Sequence, residues 1–396
     1  MSWSLPPRLT RSAPVILVFL TLAAAAAFAA VSHLVTRYRA NQISRSHKLY
    51  EAGLADMNSG NSARAIDEFR AALTGDSGNS QYQLSLGRAL RDAGHLDEAE
   101  SYLETLWQKA PDDGPVNLAL GRVAARRGSV DDSLRYYHNA MYGKWAADAE
   151  EHRRIARIEL IEFLLQRGAR REAESELIAL DTFLPSDPSL HLQAAKLFMQ
   201  AQDYPHALSE YEYVLRLDHG NLAAEAGAGE AAYQAGRYRT AQRYLQSAAG
   251  TNPLNENTRQ LLQSSNLILE TDPFVRRISD AERNRRIHQA FMKAGERLAH
   301  CAQVQSVDLN AEPSPQSAEQ AAQSPASSTL PELYARWAQM KPKLASLRAA
   351  QETVLPDTIM DIAFQIEQQT AAGCGEPEGI DEALLLISRD RVAADQ

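Results

Sequence analysis

A period of 34 residues governs what this chain can fold into. Gly53, Gly87 and Gly121 stand 34 apart. Twelve residues after each come Ala65, Ala99 and Ser133, and four further on come Phe69, Leu103 and Tyr137. Small, small, then large apolar recurs in register three times. The register slips by six residues and resumes. Ile161, Ala195 and Gly229 are again 34 apart, with Ala173, Ala207 and Ala241 at plus twelve and Leu177, Tyr211 and Leu245 at plus sixteen. The slip maps to GKWAADAEEHR, residues 143–153. A fixed period of this length marks a repeat array, in which each unit buries its apolar face on its neighbours.

The spacing predicts two helices per repeat. Small residues in the first helix and early in the second allow close approach, and the large apolar residue fills the remaining space. Gly60, Gly94, Gly128, Gly168 and Gly236 fall between the two helices, where a helix end needs a left-handed residue. Pro111, Pro185 and Pro253 each follow their own leading position by 24 residues and stop the second helix. The strong helix formers Ala, Leu, Glu, Arg and Gln abound, whereas alternating β-branched runs are scarce. The fold class is therefore all-α.

On these residues the chain resembles the tetratricopeptide repeat (TPR) family over about 46–255, most closely at DAGHLDEAESYLETLWQKAPDD (92–113) and QAGRYRTAQRYLQSAAGTNPLN (234–255). Ile161 in place of a small residue, Ser133 in place of alanine, and the lack of the family's first-helix tryptophan mark the repeats as divergent. The resemblance implies a right-handed helical solenoid whose inner face, lined by the first helix of each repeat, binds protein partners. Six repeats and a partial seventh fill residues 46–272.

Ahead of the repeats, Pro14 to Thr36 runs 23 residues without Asp, Glu, Lys or Arg, and about 20 apolar residues suffice to cross a bilayer. Residues 1–13 are a tail and 14–36 a transmembrane helix. Ala27-Phe28-Ala29 also fits a signal-peptide cleavage site, and a buried soluble helix is a third reading. Arg37, Arg39, Arg45 and Lys48 weakly favour a cytoplasmic body. The short tail favours the opposite, a single-pass protein of a bacterial inner membrane with its C-terminal body in the periplasm.

Behind the repeats, Ser279-Asp-Ala-Glu282 is a capping box. It opens an amphipathic helix within 273–301, striped by Ile287, Phe291, Ala294 and Leu298, which covers the end of the array. Residues 302–328, with three prolines and no aromatic or basic residue, read as a flexible linker. Three helices over 329–396 follow, the first kinked at Pro342 and the second capped by Asp357. They are too short for a large core of their own and are expected to dock back on the array.

Motifs for nucleotide, metal or acyl chemistry are missing: the chain has no Walker A, HExxH or GxSxG sequence. No cofactor, metal or catalytic residue is assigned, and the ten histidines are given packing or surface roles. A net charge of −9 disfavours nucleic acid. The basic segment 273–300 leaves an anionic-lipid or nucleic-acid module as an alternative, and an enzyme with an unrecognised C-terminal site is another. The partner-binding candidates, on the inner face that the resemblance implies, are Arg88, Arg91, Arg122, Glu162, Lys196, Glu230 and Tyr233. The arginine end of this set suits an acidic segment or a carboxylate. Cys301 and Cys374, the only cysteines, are expected to form a disulfide. Together these features describe an anchored scaffold for protein partners in envelope assembly or secretion.

Overall fold

The structure is a computed structural model that describes residues 13–251, 256–310, 329–348 and 354–394. Among these residues there are helices and no strand, with one isolated bridge between Asp113 and Lys144. The chain divides into two compact units, one up to Glu176 and one from Leu177.

The first unit holds α1 (Ala13–Asn58), α2 (Ser62–Gly75), α3 (Ser80–Asp92), α4 (Leu96–Lys109), α5 (Gly114–Arg127), α6 (Val130–Tyr142), α7 (Ala149–Gln166) and the start of α8 (Arg170–Asp181). Helices pair as α1 with α2, α3 with α4 and α5 with α6, and each pair packs on the next. The leading glycines explain the pairing. A Cβ on Gly53 would stand 2.6 Å from the Phe69 ring, one on Gly87 2.8 Å from Leu103, and one on Gly121 3.1 Å from Tyr137. The large residue at plus sixteen therefore lies against the leading glycine's own backbone. Ala65, Ala99 and Ser133 at plus twelve are fully buried. Filling such a contact with a larger side chain costs about 1–3 kcal/mol in a close-packed core, which is why the small residues recur. In the fourth repeat Ile161 takes the leading place and is fully buried.

Helix α1 is one uninterrupted helix of 46 residues. Its apolar stretch from Ile16 is exposed and is the one segment among the described residues long and apolar enough to cross a membrane. The same helix becomes the first helix of the first repeat, where Tyr50 stacks on Tyr82 at 4.6 Å between ring centroids. No Gly or Pro falls between Val15 and Ala52, so nothing in the sequence breaks the helix between the apolar stretch and the first repeat.

The second unit continues the pattern with α9 (Pro188–Ala201), α10 (Tyr204–Leu217), α11 (Leu222–Gln234), α12 (Tyr238–Thr251) and α13 (Glu256–Thr271). A Cβ on Gly229 would meet Leu245 at 2.6 Å. The expected turn glycines all have positive φ, from 70° at Gly236 to 87° at Gly94. In the α9–α10 turn Gln202 takes that conformation instead, with φ 64°.

Four expectations are corrected here. The covering helix, α14, runs Asp280–Gln305. It outlasts the expected end at residue 301 because Ala302 is still buried and the left-handed Ser306 provides the stop. Residues 302–305, expected in the linker, are helical, and residues 311–328 lie outside those described. The first C-terminal helix, α15 (Leu330–Met340), ends before Pro342 instead of kinking, and a 3-10 segment continues over Lys341–Arg348. Its start carries a Thr329–Glu332 capping box. In α16 (Val354–Gly373) Asp357 sits in the first turn rather than at the cap and meets Arg391 of α17 (Ile380–Ala394) at 3.5 Å.

The C-terminal helices share a single core with α13 and α14, in which Phe291, Leu298, Ile359, Ile366 and Leu384 are fully buried. Trp337 stacks on Phe291 and its indole N–H donates to the Phe291 carbonyl at 2.9 Å. Cys301 and Cys374 are joined in a disulfide, with Cα atoms 5.5 Å apart. This bond ties α14 to the end of α16.

Candidate functional site

The partner candidates fall in separate places. Arg88, Arg91, Arg122 and Glu162 belong to the first unit, Lys196, Glu230 and Tyr233 to the second. Only the three arginines form a cluster.

Two well-capped helices carry that cluster. Asn79 caps α3 by accepting from the amides of Gln81 and Tyr82. Asp113 caps α5 by accepting from Val116 at 2.9 Å, with Pro115 in the first turn. In α3 the buried stripe Tyr82, Leu86, Ala89 and Leu90 fixes the helix's rotation and sends Arg88 and Arg91 to one side. In α5 the same logic sends Arg122 toward them. Helices α1, α3 and α5 touch in sequence, and the link to α7 is polar. Arg122 donates to Glu159 in a two-pronged pair, Nε to Oε2 at 2.8 Å and Nη2 to Oε1 at 2.6 Å. The Tyr137 hydroxyl donates to the same carboxylate at 3.3 Å. Burial, followed by Glu159, raises the Tyr137 hydroxyl's pKa, so it stays a donor.

This pairing corrects the expectation that Arg122 is free for a partner. Burial opposes its charge, but the Glu159 bond more than offsets that and raises its pKa. Arg91 is partly committed as well: Nε donates to the neighbouring Asp92 at 2.8 Å, and the Arg91 carbonyl accepts from Arg126 at 3.1 Å.

Arg88 differs from both. It is partly buried and forms no ion pair among the described residues. Its Nε has no hydrogen-bond partner, nor has Nη1 of Arg91. Burial lowers the Arg88 pKa, and the charges of Arg122 and Arg91 lower it further; Tyr50 and Asp113 work weakly the other way. A guanidinium does not deprotonate in a protein, so the imbalance remains as an uncompensated cation. Such a charge is costly unless an anion meets it.

Glu159 was not legible as Arg122's partner, although a signal existed. The six-residue slip puts Glu162 in register with Arg122, and Glu159 lies one turn earlier on the same helix face. Glu162 itself is exposed.

In the second unit Lys196 is exposed on α9 and Glu230 is partly covered on α11. Tyr233 is not open to a partner: it packs on the C-terminal core, edge-on to Tyr238 at 5.5 Å, and hydrogen-bonds Ser264. Asp181, His191 and Glu210 each bring one ligand-type atom within 4.8 Å of the others. His191 Nδ1 and Glu210 are bonded directly at 2.6 Å. The His191 ring also packs at a tilt against Tyr213, 4.2 Å between ring centroids. Burial raises the Glu210 pKa, and the adjacent Asp181 adds to it against the His191 bond. His191 and Glu210 of this hydrogen-bonded set are buried, and Asp181 is partly so.

Part of the basic segment is paired with its own acids. Arg283 pairs with Asp280, Arg285 and Arg286 share Glu282, and Lys293 pairs with Glu296, while Arg297 stands 3.3 Å from the buried Glu367. Arg286 also donates to the carbonyls of Leu269 and Asp272. Arg276 and Arg277 are exposed and form no ion pair among the described residues, so part of the segment's charge stays open.

Residues 57–123 match the family model described as "Tetratricopeptide repeat". The chain is 25% identical over 218 residues to the "Putative cellulose synthase operon protein C" of Escherichia coli O157:H7, covering 54% of this chain. It spans only 19% of that relative's length. Similar solved structures include Pseudomonas aeruginosa PilF, at TM-score 0.40 and 15% identity over 56% of this chain and 99% of that one. PilW, titled a type IV pilus biogenesis factor, gives 0.39 and 18% over 55% and 98%. The C-terminal part of a TPR repeat-containing protein from Cytophaga hutchinsonii gives 0.43 and 14% over 60% and 92%.

Proposed function

Because this chain is a tetratricopeptide-repeat protein, we propose that it is a membrane-anchored scaffold that holds a protein partner through an acidic segment laid on the arginine-bearing face of α3 and α5. Arg88 carries the reading. A partly buried guanidinium with an unpartnered Nε, beside two further arginines, is poorly accounted for as a packing residue and well accounted for as half of an ion pair. Arg91 supplies a second free N–H, and Arg122, held by Glu159, supplies field rather than a contact. The anchor is the apolar part of α1, and its helical continuity with the first repeat supports a fixed placement of the body at the bilayer. A setting in envelope assembly or secretion, with the body in the periplasm, agrees with the disulfide, since such bonds persist in oxidising compartments. It also agrees with the cellulose synthase operon named for the E. coli relative.

A binding site held at a cost to stability makes a distinctive prediction. Arg88→Met keeps most of the side chain's aliphatic volume and removes the unpaired charge. The variant should gain about 1 kcal/mol or more in denaturant unfolding, and its affinity for a hexaglutamate peptide should fall about tenfold or more. A loss of stability would assign Arg88 to the fold, and unchanged peptide affinity would remove this face as the binding site.

A further inference from the structure

In the second unit, the turn between α11 and α12, the end of α13 and the middle of α17 border an open cavity of about 560 Å³. Sites for small organic ligands occupy roughly 300–1,000 Å³. The floor is apolar: Tyr238, Ile268 and Ile387 are buried, and Phe274 is partly so. The rim is cationic, with Arg237, Arg239, Arg276 and Arg391. The first three are exposed and form no ion pair among the described residues. Arg391 lies 3.9 Å from the centre of the Phe274 ring, reaches Asp357 only at 3.5 Å, and has a buried Nη1 without a hydrogen-bond partner.

Two carboxyls also line the cavity, and both are engaged. Asp390 accepts from the Tyr238 hydroxyl, and Asp272 accepts from the Phe274 amide at 2.8 Å. Four cations therefore face two satisfied acids around an apolar floor.

We propose that this cavity binds a small amphipathic oxyanion, a carboxylate or phosphate carried on an aliphatic or aromatic body. The body would rest on Tyr238, Ile268 and Phe274, and the anion on the arginine rim. Both halves are required by the lining. An inorganic anion leaves the floor unused, and a neutral alkyl chain leaves the rim unpaired. Guanidinium forks match both carboxylate and phosphate. This site is independent of the α3–α5 face and stands or falls without it.

The test uses the full chain in lipid nanodiscs, with empty nanodiscs as the partitioning reference. Octanoate and octyl phosphate are titrated against octanol and inorganic phosphate, and amide hydrogen exchange locates the effect. At least one octyl anion should bind saturably and slow exchange over residues 236–240 and 268–276. The better of the two identifies the anion as carboxylate or phosphate. Octanol and inorganic phosphate should bind about tenfold more weakly or worse. Arg239→Gln/Arg276→Gln and, separately, Phe274→Ala should each weaken binding about tenfold with circular dichroism unchanged. No saturable binding of either anion, protection elsewhere, or affinity untouched by both variants would overturn the proposal. So would preference for an acidic peptide over both octyl anions.

Discussion

Raising the pH from about 5 to about 8 should destabilise the C-terminal core by roughly 4 kcal/mol, and Glu367→Gln should remove most of that dependence. Glu367 of α16 is fully buried and neither carboxylate oxygen has a hydrogen-bond partner. Its surroundings pull in both directions. Arg297 of α14 stands 3.3 Å away and Lys293 of the same helix adds positive field, both favouring the ionised form. Burial and the nearby Asp381 of α17 favour the neutral form and prevail, pushing the carboxyl up to about 8. The Arg297 Nε donates to Thr370 at 2.9 Å and Nη2 to the Gly375 carbonyl at 2.8 Å, so its donors are engaged elsewhere.

The sign follows from proton counting. Between the ordinary carboxylate range and about 8, the folded state holds a proton that the unfolded state has lost, so stability falls as pH rises. The contribution is complete below the unfolded pKa and gone once pH passes the folded one. Burial also raises the Asp272, Asp381 and Asp390 carboxyls, and these act with the same sign. The measurement is amide exchange in α16 at the two pH values, corrected for intrinsic rates. A flat free energy in the parent protein, or an equal slope in the Gln variant, would contradict the assignment.

The second large effect concerns the disulfide. Replacing Cys301 and Cys374 with serine should cost the same core about 4 kcal/mol, from the chain entropy of a closed loop of this length. The bond bridges a sequence separation of 73 residues. It fixes α14 to the end of α16, where Gln305 and Arg297 also bond the chain at Gly373 and Gly375. Exchange protection should fall in α15 and α16 more than in the first half of α14, which Phe291 and Ala294 hold in the core. Thiol titration of protein isolated without reductant should find no free thiol, and two free thiols would contradict both the bond and the oxidising compartment it supports.

Steric repetition made the fold legible in the sequence. Each leading glycine lies under the large residue sixteen positions on, so the period in the sequence is the contact in the core. The charges were less legible. Arg88, Arg91 and Arg122 read alike by register, yet Glu159 engages Arg122, Asp92 engages part of Arg91, and Arg88 stands without an ion pair. Those outcomes depend on neighbours 37 residues away in one case and one residue away in another, which no single period encodes. Tyr233 shows the same limit: its register places it on the inner face, but the C-terminal helices, which lie outside the repeat, cover it. The cavity beside Tyr238 was hidden for that reason too, since α17 supplies part of its lining.

The central claim is that a protein partner lies on the first-helix face of the first unit. Site-specific photo-crosslinking in native membranes tests it most directly. A photoreactive residue at Arg126 of α5 or Glu162 of α7 should give one reproducible protein adduct, and one at the exposed Ser101 of α4 or Arg135 of α6 should not. The same adduct should weaken when Arg88→Glu is added to the Glu162 probe. Adducts from α4 and α6 but none from α5 and α7, or adducts indifferent to Arg88→Glu, would contradict the account.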